Sequence, residues 1–85
     1  MPRDLHSPRY QALRELIREE RKARGITQVQ VAMKLNRPQS YVADFERRER
    51  RIDVVEYLAL ANAIGFDPLA LLADVMRVNE HCIRR

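Results

Sequence analysis

The pattern of apolar positions predicts that the chain is built from helices. Residues 9–24 carry the first helical period. Leu13, Leu16 and Ile17 recur there at steps of three and four, which places them on one face of a helix. Gly25 follows, in the position where a residue in the left-handed conformation closes a helix. The segment is therefore predicted to form the first helix.

A second and a third helix follow, separated by a tight turn. Thr27 and Gln30 form a Thr-x-x-Gln capping box, which opens the second helix. Asn36 ends it, because asparagine tolerates a positive φ. Pro38 suits the first turn of the third helix, where its missing N–H has no partner to lose. The apolar positions of the pair are Val31, Ala32, Leu35, Val42 and Phe45.

Two further helices are predicted in the second half of the chain. Asp53 and Glu56 form another plausible capping box, and Gly65 ends that helix. Asp67 and Pro68 suit the N-cap and first position of the next. The expected apolar face of the helix that follows Asp53 comprises Val54, Tyr57, Leu58, Ala61 and Ile64. That of the helix that follows Asp67 comprises Leu69, Leu72, Val75 and Met76.

The organisation expected from these patterns is one small all-α domain. No segment alternates apolar and polar residues over the length of a strand. With 85 residues the chain has room for a single core. Residues 1–8 hold two prolines and no apolar period, so they are expected to form a flexible arm. Residues 9–77 form the predicted domain, and residues 78–85 form a tail.

Composition and charge indicate the kind of partner and the cellular compartment to expect. A net charge of +4 and a pI of about 9.8 favour an anionic partner, but only once the charge is located on a surface. The chain shows no membrane-spanning stretch and no signal peptide. Cys82 is the single cysteine, so no internal disulfide can form. These features predict a cytoplasmic protein.

The chemistry-bearing residues predict neither an enzyme nor a metal site. His6, His81 and Cys82 lack the spacing of zinc ligands. No Ser/His/Asp or Cys/His arrangement indicates catalysis, and there is no glycine-rich phosphate loop. No cofactor is expected.

A resemblance to a known family is carried by the second and third helices. Two short helices joined by a tight turn, here about residues 27–35 and 38–48, are the minimum of a helix-turn-helix. Residues 13–72 resemble the XRE family, the Cro/C1-type domains of phage and bacterial repressors. The matching positions are Arg21, Thr27, Gln28, Ala32, Leu35, Val42, Phe45, Glu46 and the segment LALANAIG. The resemblance implies a compact five-helix lambda-repressor-like domain that binds double-stranded DNA.

Four positions depart from the family pattern. Asn36 stands where many members have glycine, and Pro38 replaces the usual Ser/Thr cap of the third helix. Arg48 replaces a common glycine, so a positive φ there would strain it mildly. Asp44 places an acid on the helix that is expected to face DNA.

The start of the third helix carries the residues predicted to contact bases. Gln39 can pair bidentately with adenine in the major groove, and Ser40 can donate or accept. Asp44 lies about one turn beyond Ser40 on the same face. Its carboxylate can accept from cytosine N4 or pair with Arg47 or Arg48, and both alternatives stay open.

A second group is predicted to contact the phosphate backbone. The resemblance implies that Gln28 hydrogen-bonds a phosphate at the N-terminus of the second helix, where free N–H groups favour an anion. The Tyr41 hydroxyl could reach a phosphate, or the residue could simply be an exposed helix position. The candidate phosphate-binding arginines are Arg37, Arg47, Arg48, Arg50 and Arg51. At least two of them are expected to bind phosphate, and the alternative is that the run is simply a solvated, charged surface.

Glu46 is predicted to have a structural role. It follows Phe45 on the inward side, and a buried carboxylate needs a partner. The resemblance implies that the partner is Arg21 of the first helix.

The predicted function is a sequence-specific transcriptional regulator of the repressor or controller type. One recognition helix covers few base pairs, so a homodimer is expected, with its two recognition helices about 34 Å apart on an inverted repeat. The expected dimer surface comprises Leu69, Leu72, Val75, Met76 and Val78, which could alternatively close the core of the monomer. The second hypothesis is an antiactivator-like module that binds another regulator, with an apolar or acidic surface around residues 39–51.

Overall fold

The structure, a computed structural model, describes residues 7–47 and 50–78. Over these residues the chain forms five helices and no strand, which confirms the all-α class. The helices are α1 (Pro8–Ala23), α2 (Gln28–Leu35), α3 (Gln39–Glu46), α4 (Val54–Ile64) and α5 (Pro68–Met76). None of these is both long and apolar enough to cross a membrane. The predictions for His6, Arg48, His81 and Cys82 concern residues outside the described ranges.

The helix ends are set by residues that the sequence singled out. Capping boxes form at Thr27 with Gln30 and at Asp53 with Glu56. They satisfy N–H groups that have no acceptor within the helix. Positive φ angles close helices at Gly25 (67°), Asn36 (58°) and Gly65 (100°). Local side-chain chemistry therefore decides where these helices begin and end.

The start of α1 and both ends of α3 differ from the predicted boundaries. α1 begins at Pro8, because the Ser7 hydroxyl accepts a hydrogen bond from the Tyr10 N–H and caps the helix. Pro38 is the N-cap of α3 and not its first residue, and α3 also ends earlier than predicted. The Pro38 carbonyl accepts from the Tyr41 N–H at 3.0 Å, and this backbone bond stands where a Ser/Thr side chain would otherwise cap the helix.

The core is formed by one face of each helix. Its most completely buried side chains are Ile17 of α1, Val31 of α2, Val42 and Phe45 of α3, and Leu60 of α4. Burying a side chain of this kind contributes roughly 1.5–3 kcal/mol relative to leaving it exposed. Because α2 and α3 both contribute, the residues that stabilise the domain also fix these two helices against each other.

The predicted apolar face of α4 is partly wrong. Leu60 is buried, whereas Val54 and Leu58, which were predicted to face the core, are 73% and 49% exposed. Val55 is exposed as well. The helix is apolar on several sides, so helical periodicity cannot select the face that packs.

The apolar residues of α5 divide between the core and the surface. Leu71 is buried, although it was not in the predicted stripe. Val75 is partly buried and packs against the core, so it closes the monomer. Leu69, Leu72 and Met76 are exposed. The outer side of α5 therefore remains accessible to a partner.

Candidate nucleic-acid interface

The turn between α2 and α3 presents the start of α3 to solvent. Asn36 takes the left-handed conformation, and the Asn36 and Arg37 N–H groups donate to carbonyls of α2. The opposite face of α3 lies in the core. Gln39 and Ser40, in its first turn, are therefore exposed.

A chain of hydrogen bonds ties Gln39 to a buried ion pair. Gln39 Nε2 donates to Gln28 Oε1 at 3.3 Å, and Gln28 Nε2 donates to Glu46 Oε1 at 2.9 Å. Glu46 also accepts from Arg21, with Nε–Oε2 and Nη2–Oε1 distances of 2.8 and 3.0 Å. The structure thus brings Arg21 and Glu46 together and links them to a residue predicted to contact bases.

The Arg21–Glu46 ion pair is largely excluded from water. The Glu46 side chain is 4% exposed and that of Arg21 is 10% exposed. Arg21 Nη1 donates to the Ile26 carbonyl at 2.9 Å, and Arg18 Nε lies 3.8 Å from Glu46 Oε1. Loss of either main partner would leave a charge buried without its counter-ion, which is strongly destabilising.

Gln28 opens α2 directly after its N-cap, Thr27. One of its amide N–H groups is used by Glu46, and its carbonyl oxygen accepts from Gln39. A glutamine amide carries two N–H donors, so the second can serve another acceptor. This geometry is compatible with the predicted phosphate contact at the N-terminus of α2.

Asp44 forms an ion pair with Arg47 on the surface of α3. Arg47 Nη2 donates to Asp44 Oδ1 at 2.9 Å, and the two side chains are partly exposed. This contact is one of the two alternatives that the sequence left open. It balances the acidic charge on the helix itself, while a contact of Asp44 with cytosine stays a prediction.

Tyr41 is buried, so the expectation that it directly contacts a phosphate does not fit the structure. The residue is 7% exposed and belongs to the buried core cluster, together with Val42 and Phe45. Burial, followed by the negative charge of Glu56, raises the pKa of Tyr41. The guanidinium carbons of Arg37 and Arg50 lie 4.8 and 4.5 Å from the centre of its ring.

The described arginines of the predicted phosphate group lie on the surface. The side chains of Arg37, Arg47 and Arg50 are 48%, 61% and 37% exposed. Arg51 is exposed in the segment before α4. Each guanidinium has five N–H donors, so a contact with one protein acid leaves donors for a phosphate.

Glu56 was predicted only as part of the capping box of α4. In the structure it also lies near two arginines of the predicted phosphate group. Its Oε1 accepts from the Asp53 N–H at 2.9 Å. Its Oε2 lies 4.0 Å from Arg37 Nη2 and 3.7 Å from Arg50 Nη1. The spacing of the capping box predicts the first contact. The others depend on how α4 packs against the helix-turn-helix, which no local pattern shows.

The arrangement of α2 and α3, with polar residues at the exposed start of α3, is that of a helix-turn-helix domain. A family model described as helix-turn-helix matches residues 17–78. The chain belongs to the XRE family of helix-turn-helix DNA-binding transcription regulators.

Similar proteins cover most of the domain. An XRE-family like protein from Pseudomonas syringae pv. tomato is 47% identical with a TM-score of 0.81, over 87% of this chain and 90% of that one. The restriction-modification controller protein C.AhdI from Aeromonas hydrophila is 32% identical with a TM-score of 0.66, over 73% of this chain and 94% of that one. The immunity repressor protein of Bacillus phage phi105 is 36% identical over 64 residues, which are 75% of this chain. The chain spans 44% of that repressor, less than half its length.

Proposed function

We propose that the chain is a sequence-specific regulator of the repressor or controller type, which places α3 in the major groove of double-stranded DNA. The observation that carries this proposal is the hydrogen-bonded chain from the buried Arg21–Glu46 pair through Gln28 to Gln39. It holds the Gln39 amide at the exposed start of α3, where a positioned side chain favours bidentate contact with a base. Ser40 beside it supplies a second contact.

The residues around α3 supply the proposed contacts to the phosphate backbone. They are Gln28, Arg37, Arg47, Arg50 and Arg51, together with Arg48 on the evidence of sequence alone. Such contacts set the orientation of the helix and add affinity without reading the sequence.

The surface of residues 39–51 supports DNA as the partner over another regulator. In its described part, the exposed side chains are Gln39, Ser40, Arg47 and Arg51. The acid Asp44 is paired with Arg47. A polar and basic surface suits phosphate, whereas the antiactivator-like alternative predicts an apolar or acidic patch here.

An exposed apolar surface on α4 and α5 supports a homodimer. It consists of Val54, Val55, Leu58, Leu69, Leu72 and Met76 and is called the α4–α5 apolar surface. The Tyr57 hydroxyl donates to the Pro68 carbonyl at 2.6 Å, which holds the first turns of the two helices together. Exposed apolar patches mark interaction sites. A second copy docked here would present two copies of α3 to an inverted repeat.

The Gln39→Ala variant is expected to reduce discrimination between operator and random DNA by about 1–3 kcal/mol, the value of one good bidentate base contact. Affinity for random DNA should stay close to that of the wild type, because no phosphate contact is removed. Competition binding with both DNAs at one salt concentration measures the two effects. An equal loss on both would show that Gln39 does not contact a base.

The Arg51→Ala variant is expected to weaken binding to all DNA sequences and to reduce the slope of log affinity against log salt by about one. Arg77→Ala is the matched control, since Arg77 is an exposed arginine at the end of α5 that pairs with Asp74. Salt titrations of both variants provide the comparison. An unchanged slope for Arg51→Ala would remove Arg51 from the phosphate-contacting group.

A further inference from the structure

Two arginines from separate segments share one aromatic ring and one carboxylate. Arg37 lies in the turn before α3, and Arg50 lies in the loop after it. Their guanidinium carbons lie 4.8 and 4.5 Å from the centre of the Tyr41 ring. Both also face Oε2 of Glu56, at 4.0 and 3.7 Å. α3 separates Arg37 and Arg50 in the sequence. The fold brings both side chains to the same ring and the same carboxylate.

The groups that hold the arginines are themselves fixed. Tyr41 is buried in the core of the helix-turn-helix, so its ring has little freedom to turn. The Glu56 carboxylate is held by the Asp53 N–H through the capping box at the start of α4. Burial, followed by the negative charge of this carboxylate, raises the pKa of the Tyr41 hydroxyl. Ring and carboxylate therefore form a rigid platform for two otherwise flexible side chains.

The contacts with Glu56 are long enough to leave the arginines available. Separations of 3.7 and 4.0 Å exceed the 2.7–3.2 Å range of a good N–H···O hydrogen bond. The Arg37 and Arg50 side chains are 48% and 37% exposed. A phosphate oxygen can therefore accept from their N–H groups while the guanidinium planes stay near the ring.

We propose that Glu56 and Tyr41 are positioning residues that hold Arg37 and Arg50 together for one phosphate of the DNA backbone beside α3. This inference rests on the proposed DNA-binding function and adds two residues that contact no DNA themselves. Glu56 is an acid that strengthens DNA binding, although its own charge repels phosphate. If Glu56 acted only through its charge, its removal would tighten DNA binding. If it positions the arginines, its removal weakens DNA binding.

The test compares Glu56→Gln with Asp74→Asn on a random-sequence DNA duplex at low salt. Glutamine also serves at the third position of a capping box, so the start of α4 is kept while the charge is removed. Both variants add one positive unit to the net charge, and Asp74 pairs with exposed Arg77 on α5. Glu56→Gln is expected to weaken binding about two- to fivefold, the scale of a partly exposed ion pair. Asp74→Asn should bind as the wild type or slightly more tightly.

A double-mutant cycle provides the readout that a purely structural role would not change. Arg37→Ala should reduce affinity less in the Glu56→Gln background than in the wild type, because the arginine is no longer positioned there. Thermal unfolding of each variant establishes that the protein compared is folded. Tighter binding by Glu56→Gln, or additive effects of the two substitutions, would overturn the proposal. The ratio of wild-type affinities for operator and random DNA separately tests the proposed function.

Discussion

Replacing Glu46 with alanine is expected to lower the free energy of unfolding by about 3–5 kcal/mol, the effect of removing one member of a buried ion pair. Arg21 would keep its charge at a site where its side chain is 10% exposed. Gln28 would lose the acceptor of its amide. The loss is a large part of the roughly 5–15 kcal/mol that stabilises a typical domain.

Urea denaturation of Glu46→Ala and Asp44→Ala provides the comparison. The Asp44–Arg47 pair has a similar N–O distance, 2.9 Å against 2.8 Å, but its side chains are 38% and 61% exposed. An exposed pair contributes about 0–1 kcal/mol. In Glu46→Ala, the free energy of DNA binding per folded molecule should change less than the free energy of unfolding. Similar stability of the two variants would show that Glu46 does not have the structural role assigned to it.

Placing charge on the α4–α5 apolar surface is expected to convert the proposed dimer into monomers. In a two-fold interface the same surface of each copy meets its counterpart. The double substitution Leu69→Glu and Met76→Glu would thus bury several carboxylates without partners. Since each monomer would then bind its half-site independently, operator affinity should fall by about 10²–10⁴-fold.

Sedimentation equilibrium measures the mass of this double variant directly. Met33→Glu is its control, because Met33 is 73% exposed on α2, close to the 70% exposure of Met76. The control should retain the mass of a dimer. If the double variant also remains a dimer, the second copy docks on a different surface.

Much of the fold could be predicted because its boundaries depend on local chemistry. Thr27 with Gln30 and Asp53 with Glu56 form the capping boxes that their spacing predicts. Asn36 takes the left-handed conformation that its residue type tolerates. The predicted start of α3 differs from the observed one by a single residue, because proline is compatible with both the N-cap and the first helical position.

The packing faces of α4 and α5 were harder to predict. Leucines occur at neighbouring positions in both helices, so residue type alone does not distinguish buried Leu60 from exposed Leu58, or buried Leu71 from exposed Leu72. Which of them is buried depends on the neighbouring helices. Periodicity identified these segments as helices but not the side that each one turns to the core.

Some features of the candidate site could be predicted from the local sequence, whereas others depend on how the helices pack. The exposure of Gln39 and Ser40 follows from their place at the start of α3. The burial of Tyr41 does not, because a tyrosine at such a position can turn to either side. Its contacts with Arg37 and Arg50, and theirs with Glu56, join residues from four segments. They could be found only once the helices were packed.

A salt-titrated gel-shift assay tests sequence-specific DNA binding most directly. Its probes are a duplex from upstream of the protein's own gene and a random-sequence duplex of equal length. A sequence-specific regulator should bind the upstream duplex at least about 10³-fold more tightly at physiological salt. Affinity for both duplexes should fall as salt rises. Equal affinity for the two duplexes at physiological salt would contradict sequence-specific binding and favour a protein partner.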